Sequence, residues 1–192
     1  MLNDKNMKII KQILNIVYIV YILVLIYFLL FKNGVSIDRF LSRRSINIIP
    51  FYTIVHDIAN IIDPDIYILE SVSSTKNLFG NIILLIPFGC FLGLQNITGR
   101  KDAPINSVKD SFCKIAKFCI SIEVLQLISG LGVFDIDDIL LNVLGGTIGI
   151  AFHKLISKLL KKDNRVLWFY IIVIVICSIV FIREVCYILF IQ

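Results

Sequence analysis

The sequence predicts an all-α, polytopic helical membrane protein with about five transmembrane helices and a short interfacial helix in its first outer loop. Three observations predict it. Of 192 residues, 58% are hydrophobic and only 17% are charged, whereas a soluble domain is nearer half apolar and a quarter charged. The apolar residues gather into runs of the roughly 20 residues that a helix needs to cross a hydrocarbon core. The basic residues sit between those runs. The length suits one membrane domain over residues 1–192 and leaves no room for a separate catalytic domain of ordinary size.

The first run, Gln12 to Phe31, has no charge and follows Lys5, Lys8 and Lys11. It is longer than a signal-peptide core and no small-residue cleavage site follows it, so it reads as an uncleaved first helix. The second, Asn77 to Gly99, is also uncharged and ends at Arg100-Lys101. The third, about Phe112 to Leu131, carries Lys114 and Lys117 near its start, where they can snorkel to headgroups, and Glu123 in its middle. The fourth begins near Asp138 and ends around Lys158, and the fifth covers about Val166 to Phe190. Between the first two runs, Phe51, Ile54, Val55, Ile58, Ile61 and Ile62 recur at helical spacing, with Thr53, His56, Asp57 and Asn60 opposite. Pro50 suits the start of this short helix and Asp63-Pro64 its end. It is expected to lie in the membrane interface.

The net charge of +5 is explained by orientation in the bilayer rather than by nucleic acid, because no basic stripe alternates with aromatics. Lysines and arginines crowd the N-terminus, the segment between the second and third runs, and the segment between the fourth and fifth. Gly130 to Asp138 has three aspartates and no base. The positive-inside rule then places the N-terminus in the cytoplasm and the Asp135–Asp138 loop outside the cell membrane. None of the five cysteines forms a CxxC pair, and all are expected to be small buried hydrophobes. His56 and His153 are expected at the surface or the interface.

Several polar residues fall where hydrocarbon is expected. Glu123 lies eleven residues past Phe112, about 16 Å along a helix axis and so near mid-membrane. A carboxylate there costs about 2.5–3.5 kcal/mol on insertion scales and is usually paired, protonated or functional. Gln126 shares its face. Asp138 and Asn142 are four apart in the fourth run, as are Asn77 and Asn81 in the second. Together these residues predict a polar pocket in the outer halves of three helices. Gly145-x-x-x-Gly149 and Gly89-x-x-x-Gly93 would let backbones approach there, and Pro87 would free carbonyls. The aspartates also admit a plainer reading, as a solvated turn with Asp138 capping the fourth helix. Glu123 likewise admits a structural one, bonded to Gln126 or Asn142. Clustered carboxylates suit a hard cation, but three in four residues rarely converge without other ligands, so no metal is expected. No P-loop, HExxH or GxSxG occurs, and no cofactor is expected.

Arg44-x-x-Asn47-x-x-Pro50-Phe51 with Thr53-Ile54 resembles the first signature of the VanZ-like family. Asn81 with Ile86-Pro87-Phe88-Gly89 resembles the second. Glu123-Val124-Leu125-Gln126, then Phe134 through Asn142 and Gly145-Gly146, resembles the third. Order and spacing also agree, and the resemblance covers residues 43–152. It implies a membrane protein that lowers susceptibility to teicoplanin-type glycopeptide antibiotics without remodelling the D-Ala-D-Ala terminus. Many members carry an arginine in the turn before the aspartates. Gly130 to Val133 has none here, which leaves Arg43 or Arg44 as the substitute.

Three mechanisms follow. In the first, the protein acts at the outer face on or around a lipid-linked cell-wall precursor or the glycopeptide itself. In the second, it is an intramembrane hydrolase or transferase on a lipid-linked envelope substrate, with Glu123 as general base beside Asp138. In the third, it carries a proton or small polar solute through Glu123. Few polar groups continue past Glu123 toward the cytoplasm, which ranks the carrier last. The residues expected to line the pocket or bind substrate are Arg43, Arg44, Asn47, Asn77, Asn81, Gln126, Asp135, Asp137 and Asn142. The expected partners are the lipid bilayer and the precursor or glycopeptide.

Overall fold

The computed structural model of the protein describes residues 4–31, 46–63, 67–98, 108–130, 132–162 and 164–173. Arg43, Arg44, Cys177 and Cys186 fall outside them. The helices are α1 (Asp4–Phe31), α2 (Tyr52–Ile62), α3 (Ile68–Thr98), α4 (Val108–Ser129), α5 (Ile136–Leu160) and α6 (Asn164–Val173). Two short strands, β1 (Ile46–Asn47) and β2 (Phe134–Asp135), pair in parallel, Ile46 with Phe134 and Asn47 with Asp135. The chain divides into one unit over Tyr18–His153 and a second formed by the segments on either side of it. In that second unit Leu14, Val166, Leu167 and Tyr170 are buried.

Among the described residues three helices are long and apolar enough to cross a membrane, with spans at Gln12–Leu30, Ile68–Leu94 and Ile136–Leu160. The third expected span is α4. Its 22 residues reach about 33 Å at 1.5 Å each, but its charges set it apart by composition. Lys114 is exposed and pairs with Asp110 at 2.9 Å. Of the fifth expected span only Asn164–Val173 is described.

The expected loop between residues 32 and 76 needs correction. α3 begins at Ile68, nine residues before the apolar run, and covers 31 residues. Its added turns are polar, and they are stable as helix because their polar groups have partners. Thr75 Oγ1 donates to the Ser71 carbonyl at 2.8 Å, and Ser74 receives the Asn60 carboxamide of α2 at 3.1 Å.

The core of the larger unit takes one stripe from each long helix. Leu25 and Leu29 come from α1, Leu85, Phe88 and Leu92 from α3, Ile115, Cys119 and Ile122 from α4, and Ile150 from α5. Phe88 stacks on Phe118, with ring centroids 4.7 Å apart. Away from this cluster the polarity is reversed. Ser74, Asn81, Ser111, Glu123, Gln126, Asp137, Asp138 and Asn142 are buried. Ile13, Ile16, Ile19, Leu23, Tyr27, Phe79, Ile83, Ile128, Leu144 and Leu155 are exposed. Polar groups inside and large apolar side chains outside is the arrangement that a hydrocarbon solvent favours.

Helices α3 and α5 touch through backbone. A Cβ added at Gly145 would meet the Ile82 carbonyl, one at Gly149 the Ile86 carbonyl, and one at Gly89 the Gly146 carbonyl. The contacts advance together along both helices, so the two run parallel. Gly93 makes room for the imidazole of His153, which corrects its expected surface position: His153 is buried. Pro87 lies inside α3, and in the turn before it Tyr21 Oη donates to the Leu84 carbonyl at 2.5 Å. Cys90 and Cys119 are buried as expected, but Cys113 is exposed.

Gly145→Ala should therefore lower stability by about 1–3 kcal/mol, because backbone must move. Gly80→Ala, where an added Cβ meets nothing within 4 Å, should raise it by roughly 0.5–1 kcal/mol through helix propensity. Thermal unfolding midpoints of the purified variants in one detergent check the pair.

Candidate functional site

The segment Phe134-Asp135-Ile136-Asp137-Asp138 organises the site. Asp135 is the N-cap of α5, its Oδ1 accepting the Asp137 N–H at 2.9 Å. This corrects the expectation that Asp138 caps the helix. Nor do the three aspartates solvate a turn. All are buried, Asp137 completely at 0% exposure. The turn reaches α4 because the Asp135 N–H donates to Glu123 Oε2 at 3.1 Å. Glu123, 1% exposed, thus has a backbone donor from the aspartate segment.

Asp137 reaches across to α2. Its Oδ1 accepts the Phe51 N–H at 2.6 Å, and its Oδ2 accepts the N–H groups of Thr53 at 2.8 Å and Ile54 at 3.2 Å. The first N–H groups of a helix have no partner within it, and its N-terminus favours an anion. Phe51, at φ 67°, offers no side-chain oxygen, so α2 takes its cap from another helix. A bulky residue in this left-handed region carries strain on the order of 1–3 kcal/mol, which the charged bond at 2.6 Å opposes.

Asp135 adds a second tie. Its Oδ2 accepts from Thr53 Oγ1 at 2.6 Å and from Asn47 Nδ2 at 3.3 Å, and Asn47 Nδ2 also meets Thr53 Oγ1 at 2.9 Å. On α3, Asn81 Nδ2 donates to Asp138 Oδ1, and Asn77 Nδ2 donates to Asp57 Oδ2 at 2.7 Å. The polar face of α2 therefore turns inward, and Phe51, Tyr52, Val55, Ile58 and Ile62 face outward, Ile62 at 73% exposure.

Between α2, α3 and the start of α5 lies a cavity of about 390 Å³. Asn77, Asn81, Asp135 and Asp138 line it. So do Asp57, Ser73, Ser74, Lys76 and Gly80, with Leu29, Leu84 and Val133 as apolar wall. Asn47, Glu123 and Asp137 stand behind the wall and hold it. Gln126 points elsewhere, its Nε2 donating to the Leu29 carbonyl at 2.8 Å. Among the described residues, Gln126 Oε1 and Asn142 Oδ1 are buried without a hydrogen-bond partner. Arg43 and Arg44 lie outside the described residues. Among the described residues no three His, Cys, Asp or Glu side chains converge to hold a metal ion. Sequence reasoning missed Asp57, Ser74 and Lys76. The polar stripe of α2 was the available signal for Asp57.

Asn47, Thr53, Asn81, Glu123, Asp135, Asp137 and Asp138 come from the three motifs, and the comparison with known families covers all three: the family model for VanZ/LLP1 matches residues 18–157. The chain belongs to the VanZ/LLP1 family. It is also similar to Protein VanZ of Enterococcus faecium, with 27% identity over 161 residues, covering 81% of this chain and 84% of that protein. No solved structure matches. With its long apolar helices, membership in this family makes the chain a membrane protein.

Asp137→Ala should leave three N–H groups of α2 without their acceptor, at a cost of about 1–3 kcal/mol. The expected result is amide hydrogen exchange faster by roughly 10-fold or more at Phe51, Thr53 and Ile54, with α5 protection kept because Asp135 still caps it. Asp137→Asn, which keeps one acceptor oxygen, should fall between.

Proposed function

We propose that this protein lowers susceptibility to teicoplanin-type glycopeptides by acting at the outer face of the cell membrane, on or around lipid-linked cell-wall precursors. The observation that carries this reading is convergence. Asn47 and Thr53 of the first motif, Asn81 of the second, and Glu123, Asp135, Asp137 and Asp138 of the third form or brace one polar cavity. Its volume of about 390 Å³ is in the range of small-ligand pockets, about 300–1,000 Å³. Membership in the VanZ/LLP1 family and the likeness to Protein VanZ support the antibiotic class.

The loop charges put the N-terminus in the cytoplasm and the cavity on the outer side, where α2 lies in the interface with its apolar face in the lipid. On this topology a cysteine at Gly132, in a background lacking native cysteines, reacts with an impermeant thiol reagent from outside the cell. One at Asn164 reacts only after permeabilisation. The opposite pattern reverses the sidedness. Deletion and overexpression in a Gram-positive host should shift the inhibitory concentration of teicoplanin more than that of vancomycin. Equal shifts for both drugs and for unrelated envelope stresses would refute the reading.

One observation favours a second reading. Glu123, at 1% exposure, is a carboxylate buried behind the cavity wall, beside the segment that opens α5, as a general base acting on a lipid-linked substrate would be. Glu123→Gln keeps an oxygen that can accept the Asp135 N–H and removes the charge. In the enzyme reading this variant loses teicoplanin tolerance at unchanged membrane abundance. In the binding reading it works, and Glu123→Leu lowers abundance. The measurement is inhibitory concentration beside quantified membrane levels.

A further inference from the structure

The turn that joins α5 to α6 carries a charge pattern that the polar cavity does not use. Residues 154–165 hold five bases, Lys154, Lys158, Lys161, Lys162 and Arg165, against one acid, Asp163. All five bases are exposed. Among the described residues no ion pair joins any of them to a carboxylate. Exposed apolar side chains flank them, Leu155 and Leu159 on α5 and Trp168 and Ile172 on α6. Arg165, Trp168 and Ile172 follow one another at three and four residues, so one face of α6 runs from cation to indole to aliphatic chain away from the turn. Lys158 and Leu155, three apart, repeat that order on α5. Val166, Leu167 and Tyr170 of α6 are buried, which fixes the exposed face.

This sequence of groups is complementary to a phospholipid, with phosphate at one end and hydrocarbon beyond it. A soluble polyanion would meet the cations and leave the leucines, the indole and Ile172 in water. The α5 span ends at Leu160, which sets the turn at the level of the headgroups, where basic and aromatic side chains anchor. Orientation of the chain depends on how many bases a loop carries and does not require one in a strained place. Lys161 is in such a place. Its φ is 57°, a left-handed position at a helix end that usually takes glycine, and its N–H donates to the Ser157 carbonyl at 3.1 Å. We propose that the α5–α6 turn binds an anionic phospholipid, its phosphate held by Lys158, Lys161, Lys162 and Arg165 and its acyl chains lying against Leu155 and Trp168. On the topology proposed above, the lipid belongs to the cytoplasmic leaflet.

Trp168 is the single tryptophan of the chain, so its fluorescence reports on this turn. Full-length protein in phosphatidylcholine nanodiscs receives increasing mole fractions of phosphatidylglycerol with brominated acyl chains, which quench an indole on contact. Brominated phosphatidylcholine is the reference. Phosphatidylglycerol should quench saturably and at a mole fraction roughly tenfold lower than phosphatidylcholine, as several cations at a membrane surface require. Lys161→Gly should weaken this preference about fivefold, the effect of one cation near the surface. Its thermal unfolding midpoint should hold or rise, because glycine suits the left-handed position. Lys162→Gln should weaken the preference likewise, and it carries the test if Lys161→Gly fails to fold. Lys117→Gln, the same loss of charge from an exposed position on α4, should leave the preference unchanged. Equal quenching by the two lipids, or equal effects of Lys117→Gln and Lys161→Gly, overturns the proposal and leaves the bases to orientation alone. Displacement of the brominated lipid by soluble polyglutamate or an RNA oligonucleotide also overturns it and assigns the turn to a soluble polyanion.

Discussion

The carboxylate of Asp137 holds the site in its observed shape. It sits in the first turn of α5 and bonds the N–H groups that open α2. From that clamp the other placements follow. With its N-terminus fixed, α2 lies over α3, where Asn77 meets Asp57 and Asn60 meets Ser74. Thr53 comes within reach of Asp135, and the β1–β2 pairing sets Asn47 beside it. The cavity is what remains between these elements. A helix of 11 residues is marginal on its own, so its order depends on what caps and packs it.

The solvent of the outer surface explains why so many charges are inside. In water, α2 would turn its isoleucines toward the core and its aspartate out. Here the exposed surface is apolar along α1, α3 and α5, and the buried carboxylates are served by backbone N–H groups, hydroxyls and carboxamides. An isolated charge in a low-dielectric interior is costly unless hydrogen bonds compensate it. Asp137, with three backbone donors, meets that requirement through protein groups whose positions the fold fixes. Glu123 belongs to the same network through the Asp135 N–H, so its burial has an architectural component whatever chemistry it performs.

The three long apolar spans among the described residues were legible because hydrocarbon demands about 20 apolar residues in a row, which few other structures require. The glycine spacings in α3 and α5 were also legible, and the backbone contacts at Gly89, Gly145 and Gly149 bear them out. The position of α2 followed from periodicity, but periodicity leaves open what each face meets. Asp57 was therefore seen as polar and not as part of the wall. The β1–β2 pair could not be read, since two residues have no alternation to detect. The polar start of α3 read as loop because its serines and threonines favour turns and caps, and only packing against α2 satisfies them. Three aspartates in four residues marked this segment out, but nothing local distinguishes the one that caps its own helix from the one that caps a distant helix.

The cap on α2 also sets an order of events. Its N–H donors at Phe51, Thr53 and Ile54 find their acceptor 86, 84 and 83 residues further along the chain. At a synthesis rate of about 5–20 residues per second, roughly 4–17 s pass between the emergence of the donors and that of the acceptor. During that interval α2 has neither its cap nor the Asp135 tie. The segment that opens the site is thus made well before the residues that hold it in place.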